Sequence, residues 1–220
     1  MRLRFDERDH VLKLTHPRGV RTSAALAWAA SQKLWVEQQL ERASPLEPLA
    51  PGAVIPLEGA DVELAWDQDS RRTPVLAGGK LVCGGPEPGF PRRIELFLKR
   101  RALETLSQET AEIGERAGLR AISVSIGDAR TRWGSCSSRG SIRYSWRLIL
   151  APPYVLDYLA AHEVAHLVEM NHSRRFWRLV AGICPDWQRA KGWLTANGNA
   201  LHRYGAAPSG SERDPPGSIA

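Results

Sequence analysis

Residues 162–166 read His-Glu-Val-Ala-His, set inside a segment that is apolar on several sides. On an α-helix, positions four apart lie one above the other, so this spacing brings two imidazoles to one face with a carboxylate beside them. Val155, Leu156, Leu159, Val164 and Leu167 surround the three polar residues and predict a helix buried in a core. Two histidines and a glutamate are expensive in such a place unless a metal or another partner satisfies them. The chain must therefore fold into a dry scaffold around a polar centre. Pro152 and Pro153 suit the start of this helix, because its first turn uses no amide protons of its own.

His172 follows His166 by six residues, near the expected helix end. If Asn171 takes the left-handed conformation that Asn tolerates, the chain reverses and returns His172 toward the other two. Three neutral imidazoles leave one tetrahedral position for water, the composition of a catalytic zinc site rather than a closed structural one. The pattern thus predicts Zn2+ held by His162, His166 and His172. Glu163 follows His162 directly, cannot easily join the helix histidines on the same ion, and is expected to act as general base on water. Glu169, one turn beyond His166, is the alternative third ligand. His10, His16 and His202 have no comparable partner by spacing and read as ordinary histidines.

A chain of 220 residues suffices for one domain, or one domain with a smaller lobe. Its three cysteines, Cys83, Cys136 and Cys184, are odd in number and far apart, which speaks against a disulfide framework and against a Cys-based zinc site. The formal charge of +6 permits attraction to anionic partners. Its clusters, Arg92-Arg93, Lys99-Arg100-Arg101 and Arg174-Arg175, read as solvated helix faces, so nucleic acid is a possible but unproven partner. The first residues resemble no signal segment and no run of about 18 apolar residues occurs, so the expectation is a cytoplasmic protein with no membrane partner.

Along the chain, Val11-Leu12-Lys13-Leu14 reads as half of a β-hairpin, and residues 23–42 as one amphipathic helix with Ser23 as N-cap. Short strands are expected at 54–57, 62–66 and 75–82, followed by a Gly/Pro-rich connector over 84–91. Helical spacing predicts a long helix over 92–117, closed by Gly118. A strand over 121–126 and a hairpin of 130–136 with 141–150 lead to the helix that begins at the two prolines. Ser173 reads as the N-cap of a further helix packed through Phe176, Trp177 and Val180, and residues 206–220 as a disordered tail.

Taken together, Arg132-Trp133-Gly134-Ser135-Cys136, Pro153-Tyr154-Val155, the pentapeptide at 162–166, Asn171-His172-Ser173 and Phe176-Trp177 resemble the YgjP-like zinc metallopeptidases, relatives of the SprT-like group. The resemblance implies an α+β class and a minimal zincin-like fold, a mixed sheet packed on the active-site helix. It covers residues 1–205, with an N-terminal β-rich portion carrying one helix (1–83) and a catalytic portion (91–205). It makes His162, His166 and His172 the ligands, Glu163 the catalytic residue, and a peptide or protein the substrate. The histidine spacing also matches metzincins, but those have Gly where this chain has Glu169, and no Met-turn is evident.

Ser135 and Cys136 have no His and acid partners by spacing, so a nucleophile is not expected there. Residues 132–136 read instead as a packed hairpin with an edge able to pair with an extended peptide. Two other functions remain open. One is a zinc hydrolase of nucleotide phosphoanhydrides, served by Arg130, Arg132, Arg139 and Arg143. The other is a nucleic-acid-associated module with structural zinc, against which Glu163 argues.

Overall fold

The computed structural model describes residues 1–6, 11–42, 47–129 and 131–205. His10, the Arg130 cation and the tail 206–220 lie outside the described residues. The chain forms two units, one of Met1–Pro48 with the segment from His202 onward, the other of Leu49–Leu201.

In the first unit, β1 (Arg2–Asp6) pairs antiparallel with β2 (Val11–Thr15), setting Leu3 opposite Leu14 and Phe5 opposite Leu12. The half-hairpin expected at 11–14 thus finds its partner. The single helix expected over 23–42 is two, α1 (Thr22–Ser31) and α2 (Lys33–Arg42), broken at Gln32 with φ −87° and ψ 22°. Leu26, Leu34 and Leu40 are exposed, so no buried stripe holds the two segments in one rod. Arg21 rather than Ser23 is the N-cap residue, and it makes no side-chain cap.

The second unit opens with a four-stranded sheet in the order β3-β4-β6-β5. Its strands are β3 (Val54–Leu57), β4 (Ala60–Trp66), β5 (Val75–Ala77) and β6 (Lys80–Cys83), with β4 and β6 parallel. The one strand expected over 75–82 is a tight hairpin. Gly78 and Gly79 at its tip take φ of 56° and 75°, the left-handed pair that a two-residue turn of this hand requires. Next, α3 (Phe90–Ala117) runs 28 residues, about 42 Å, and ends as expected at Gly118 with φ 67°. Ile94, Leu98, Leu106 and Ile113 on this helix are fully buried.

A three-stranded sheet follows in the order β7-β9-β8, built from β7 (Ser123–Gly127), β8 (Gly134–Cys136) and β9 (Ser141–Ser145). It is mixed, β7 running parallel and β8 antiparallel to β9, which leaves β8 on the edge. Where the sequence pattern extends a strand to residue 150, the chain turns into a 3₁₀ segment, Trp146–Leu150, buried throughout. Buried Arg147 is held there by Asp128 and by the Leu201 carbonyl. Three helices complete the unit: α4 (Pro153–Ala165), α5 (Arg174–Ile183) and α6 (Trp187–Leu201).

The molecule is thus a mixed α+β protein, and α4 is the hub of the second unit, packed on α3, α5, α6 and β8. Val155, Leu156, Leu159 and Val164 on α4 are at most 5 % exposed. Each such side chain contributes about 1.5–3 kcal/mol when fully buried, enough to carry the polar residues of the same helix into the interior. Among the described residues, no helix is long and apolar enough to cross a membrane.

Candidate metal centre

Pro153 occupies the first turn of α4, as its missing amide proton allows, and His162 and Glu163 lie in the last turn. His166 is the C-cap residue, still helical at φ −67° and ψ −16°. The chain does reverse before His172, but not by a left-handed Asn171. Among the described residues the only non-glycine with positive φ is Glu58. Instead the Asn171 side-chain oxygen accepts from the Ser173 amide at 3.1 Å, a side-chain turn that needs no unusual backbone. Ser173 then caps α5 as expected, its hydroxyl accepting from the amides of Arg175 and Phe176 at 3.2 Å.

These two devices bring the three histidines together. One ligand atom from each of His162, His166 and His172 lies within 4.8 Å of the others. His162 Nε2 and His172 Nε2 are 3.1 Å apart. Two imidazole nitrogens bound tetrahedrally to one zinc at the usual bond length would be about 3.3 Å apart, so this pair has the spacing of shared ligands. Phe176 packs against all three rings, with centroids 4.5–4.8 Å away. His166 Nδ1 lies 2.9 Å from the Glu169 carbonyl, which can only accept, so Nδ1 carries the proton and Nε2 presents its lone pair. The Glu169 carboxylate is engaged elsewhere, by Ser173 Oγ and Arg175 Nε, and lies outside the cluster. His16 and His202 also lie outside it.

Burial, and then the neighbouring His166, His172 and Lys191, push the His162 imidazole down to about 3, so it stays neutral. His172 is lowered by burial, by His166 and by Lys191. Three imidazoles this close cannot all be protonated, whereas three neutral ones form a ready donor set. One buried atom reinforces the fit: among the described residues, Glu163 Oε2 has no hydrogen-bond partner. Such a group costs about 1–3 kcal/mol when left unpaired, an arrangement that persists where a ligand or water completes it.

Glu163 is only 2 % exposed, and burial raises its carboxyl to about 8 against the opposing pull of Arg132. A cation at the histidines would restore the charged form. Its approach to β8 explains Gly134, which the sequence reading named within the resemblance motif without giving it a role. A Cβ added at Gly134 would fall on the Glu163 carboxylate. An isolated glycine inside a strand is the signal of such close backbone approach, and it stands in the Trp-Gly-Ser stretch. Trp133 beside it packs on α6, where a Cβ at Gly198 would be 3.1 Å from the indole.

The cluster opens into a cleft of about 540 Å³. Gly134, Ser135 and Cys136 of edge strand β8 form one wall, and Lys191 of α6 stands in another. Tyr158, one turn before His162, also faces the cleft, its phenol pushed up to about 12 mainly by burial and therefore protonated. Burial and then Glu163 raise the Cys136 thiol, which opposes a nucleophilic role. Arg139 and Arg143 do not line this cleft, while Arg132 does. Lys191 was not foreseen because the pattern over 187–201 assigned no helix there.

A sequence model described as the YgjP-like metallopeptidase domain matches residues 1–197 of the chain. The chain belongs to the YgjP-like metallopeptidase family. A solved structure similar to it is the metallopeptidase zymogen of Pyrococcus abyssi abylysin, at 23% identity, covering 45% of this chain and 97% of that one with a TM-score of 0.39. No curated protein matches. For a YgjP-like metallopeptidase, the chemistry is metal-dependent and the substrate a peptide, and His162, His166 and His172 are the group that could hold the metal among the described residues.

This geometry makes Gly134→Ala informative. The added methyl group must displace the Glu163 carboxylate; if Glu163 acts on the substrate, a misplacement of about 1 Å can cost on the order of 10²-fold in rate. Peptide hydrolysis is expected to fall by at least about tenfold with metal content retained. Full activity in the variant, with an unshifted Glu163 in its crystal structure, would contradict the close approach.

Proposed function

We propose that this chain is a zinc-dependent peptidase in which His162, His166 and His172 hold the metal and Glu163 serves as general base. The observation that carries the reading is the pairing of a three-imidazole cluster with a buried carboxylate oxygen beside it that has no partner among the described residues. Neutral nitrogen donors without thiolate or carboxylate suit a borderline ion such as zinc. Bound there, zinc supplies Lewis acidity that lowers the pKa of water toward about 7 and polarises a carbonyl. Glu163 Oε2 takes the proton from the attacking water and delivers it to the leaving amine nitrogen. Arg132 favours the ionised carboxylate from which this cycle starts. Hydrogen bonding to the Glu169 carbonyl keeps His166 in the tautomer that a ligand needs.

Strand β8, at the sheet edge among the described residues, can offer backbone groups to an extended peptide alongside the cleft. Helix-borne ligands, the third histidine after a turn and an adjacent edge strand together support a minimal zincin-like arrangement. The test is to incubate the zinc-loaded protein with a mixed peptide library and, separately, with nucleoside triphosphates, following both by mass spectrometry. Chelator-sensitive cleavage of peptides is expected. Hydrolysis of the nucleotides with every peptide intact would overturn the peptidase reading and favour the phosphoanhydride alternative.

A further inference from the structure

Beside the histidine cleft lies a second groove of about 650 Å³, formed by α5 and the start of α6. Trp177 and Trp187 stack in it with centroids 4.5 Å apart and planes 25° apart, both half-buried. Arg174 and Arg178 flank the pair. Among the described residues, no carboxylate lines the groove. Lys191 stands between the two, lining the cleft and contacting the tryptophans of the groove, with its ammonium 4.6 Å from the Trp177 ring and 5.6 Å from Trp187. Trp177 in turn stacks on His172.

The charges here work against the stability of the fold. Arg174 and Arg178 are exposed, four residues apart on one helical face, and form no ion pair among the described residues. Like charges at this spacing repel, and Arg174 sits in the first turn of α5, where the helix dipole disfavours a cation. Their neighbour Arg175 differs, being tied to Glu169. The Arg174-Arg175 pair is therefore not one uniform solvated face. Repelling cations around a half-exposed aromatic stack match an anionic partner that also carries flat or apolar groups.

We propose that this groove is a substrate subsite that takes an acidic, aromatic-bearing stretch of peptide flanking the scissile bond. Carboxylates of that stretch meet Arg174, Arg178 and Lys191, and its ring packs on the Trp177–Trp187 stack. The proposal rests on the peptidase reading. A peptide is favoured over a single-stranded nucleic acid because Lys191, which packs on the groove's tryptophans, lines the histidine cleft, so one extended chain can run from one space to the other.

The test measures binding to zinc-loaded Glu163→Gln by tryptophan quenching and calorimetry. The probes are a short peptide rich in Glu and Phe, the same peptide with Lys for Glu, and oligothymidylate. The acidic peptide is expected to bind at least about tenfold tighter than its lysine counterpart, with the difference shrinking as salt rises. Arg178→Glu should narrow or invert that order and Arg178→Lys should keep it. In the unaltered enzyme, kcat/KM should follow the same preference. Equal binding of the two peptides, an order unmoved by Arg178→Glu, or preferential binding of oligothymidylate would overturn the subsite. Cleavage of the library without regard to charge would overturn the subsite and leave the peptidase intact. Charge-selective binding without cleavage of any peptide would overturn the peptidase reading and, with it, the groove's role as a substrate subsite, leaving only an acidic-peptide binding groove.

Discussion

Glu163→Gln is expected to keep near-normal zinc content and to lose peptide hydrolysis by at least about a hundredfold. The amide preserves the shape that fits against Gly134 but cannot accept a proton, and general-base help is typically worth about 10²–10⁴ in rate. Because the side chain is buried, its removal could also disturb packing. The isosteric amide limits that effect, and a thermal melt with metal analysis separates the two. Loss of zinc in the variant would make Glu163 a ligand or a structural support. Full turnover with zinc retained would contradict the base assignment.

A comparably large effect is expected at His172, the proposed third ligand. His172→Ala should weaken zinc binding by at least about a hundredfold, since even changes to groups supporting a ligand cost about 10–100-fold. His172 is exposed and reached by a turn that Asn171 and Ser173 build without it, so the metal-free variant should melt as the unaltered protein does. Glu169→Ala should have the smaller effect on affinity, because His166 is held by the backbone carbonyl of that residue. Competition with a chromophoric chelator gives both affinities. Unchanged binding in His172→Ala with a collapse in Glu169→Ala would exchange the two roles.

The parts of the fold legible in sequence are those set by local chemistry. Pro153 starts α4, Gly118 ends α3, Ser173 caps α5, and the spacing of His162 and His166 is a property of one helix. The errors lie where local patterns leave several outcomes open. Gly78-Gly79 turns an expected strand into a hairpin, and Gln32 divides an expected helix whose leucines are not buried. Asn171 reverses the chain through its side chain instead of its backbone.

The rest of the candidate site depends on contacts between distant segments. The demand for glycine at 134 comes from a carboxylate 29 residues later in the chain. Lys191 reaches the cleft because α6 folds back on α4, and Trp187 at the start of the same helix stacks on Trp177 of α5 in the neighbouring groove. The apolar pattern over 187–201 is thin, with Gly192 and Gly198 inside the helix. Gly198 is explained by Trp133, again from another element.

Zinc K-edge X-ray absorption on protein loaded with one equivalent of the metal addresses the centre itself. The account predicts a four-coordinate shell of nitrogen and oxygen at about 2.0–2.1 Å, with multiple scattering from three imidazoles and no sulfur. A sulfur scatterer at about 2.3 Å, or a shell with fewer than three imidazoles, would contradict a catalytic zinc held by His162, His166 and His172.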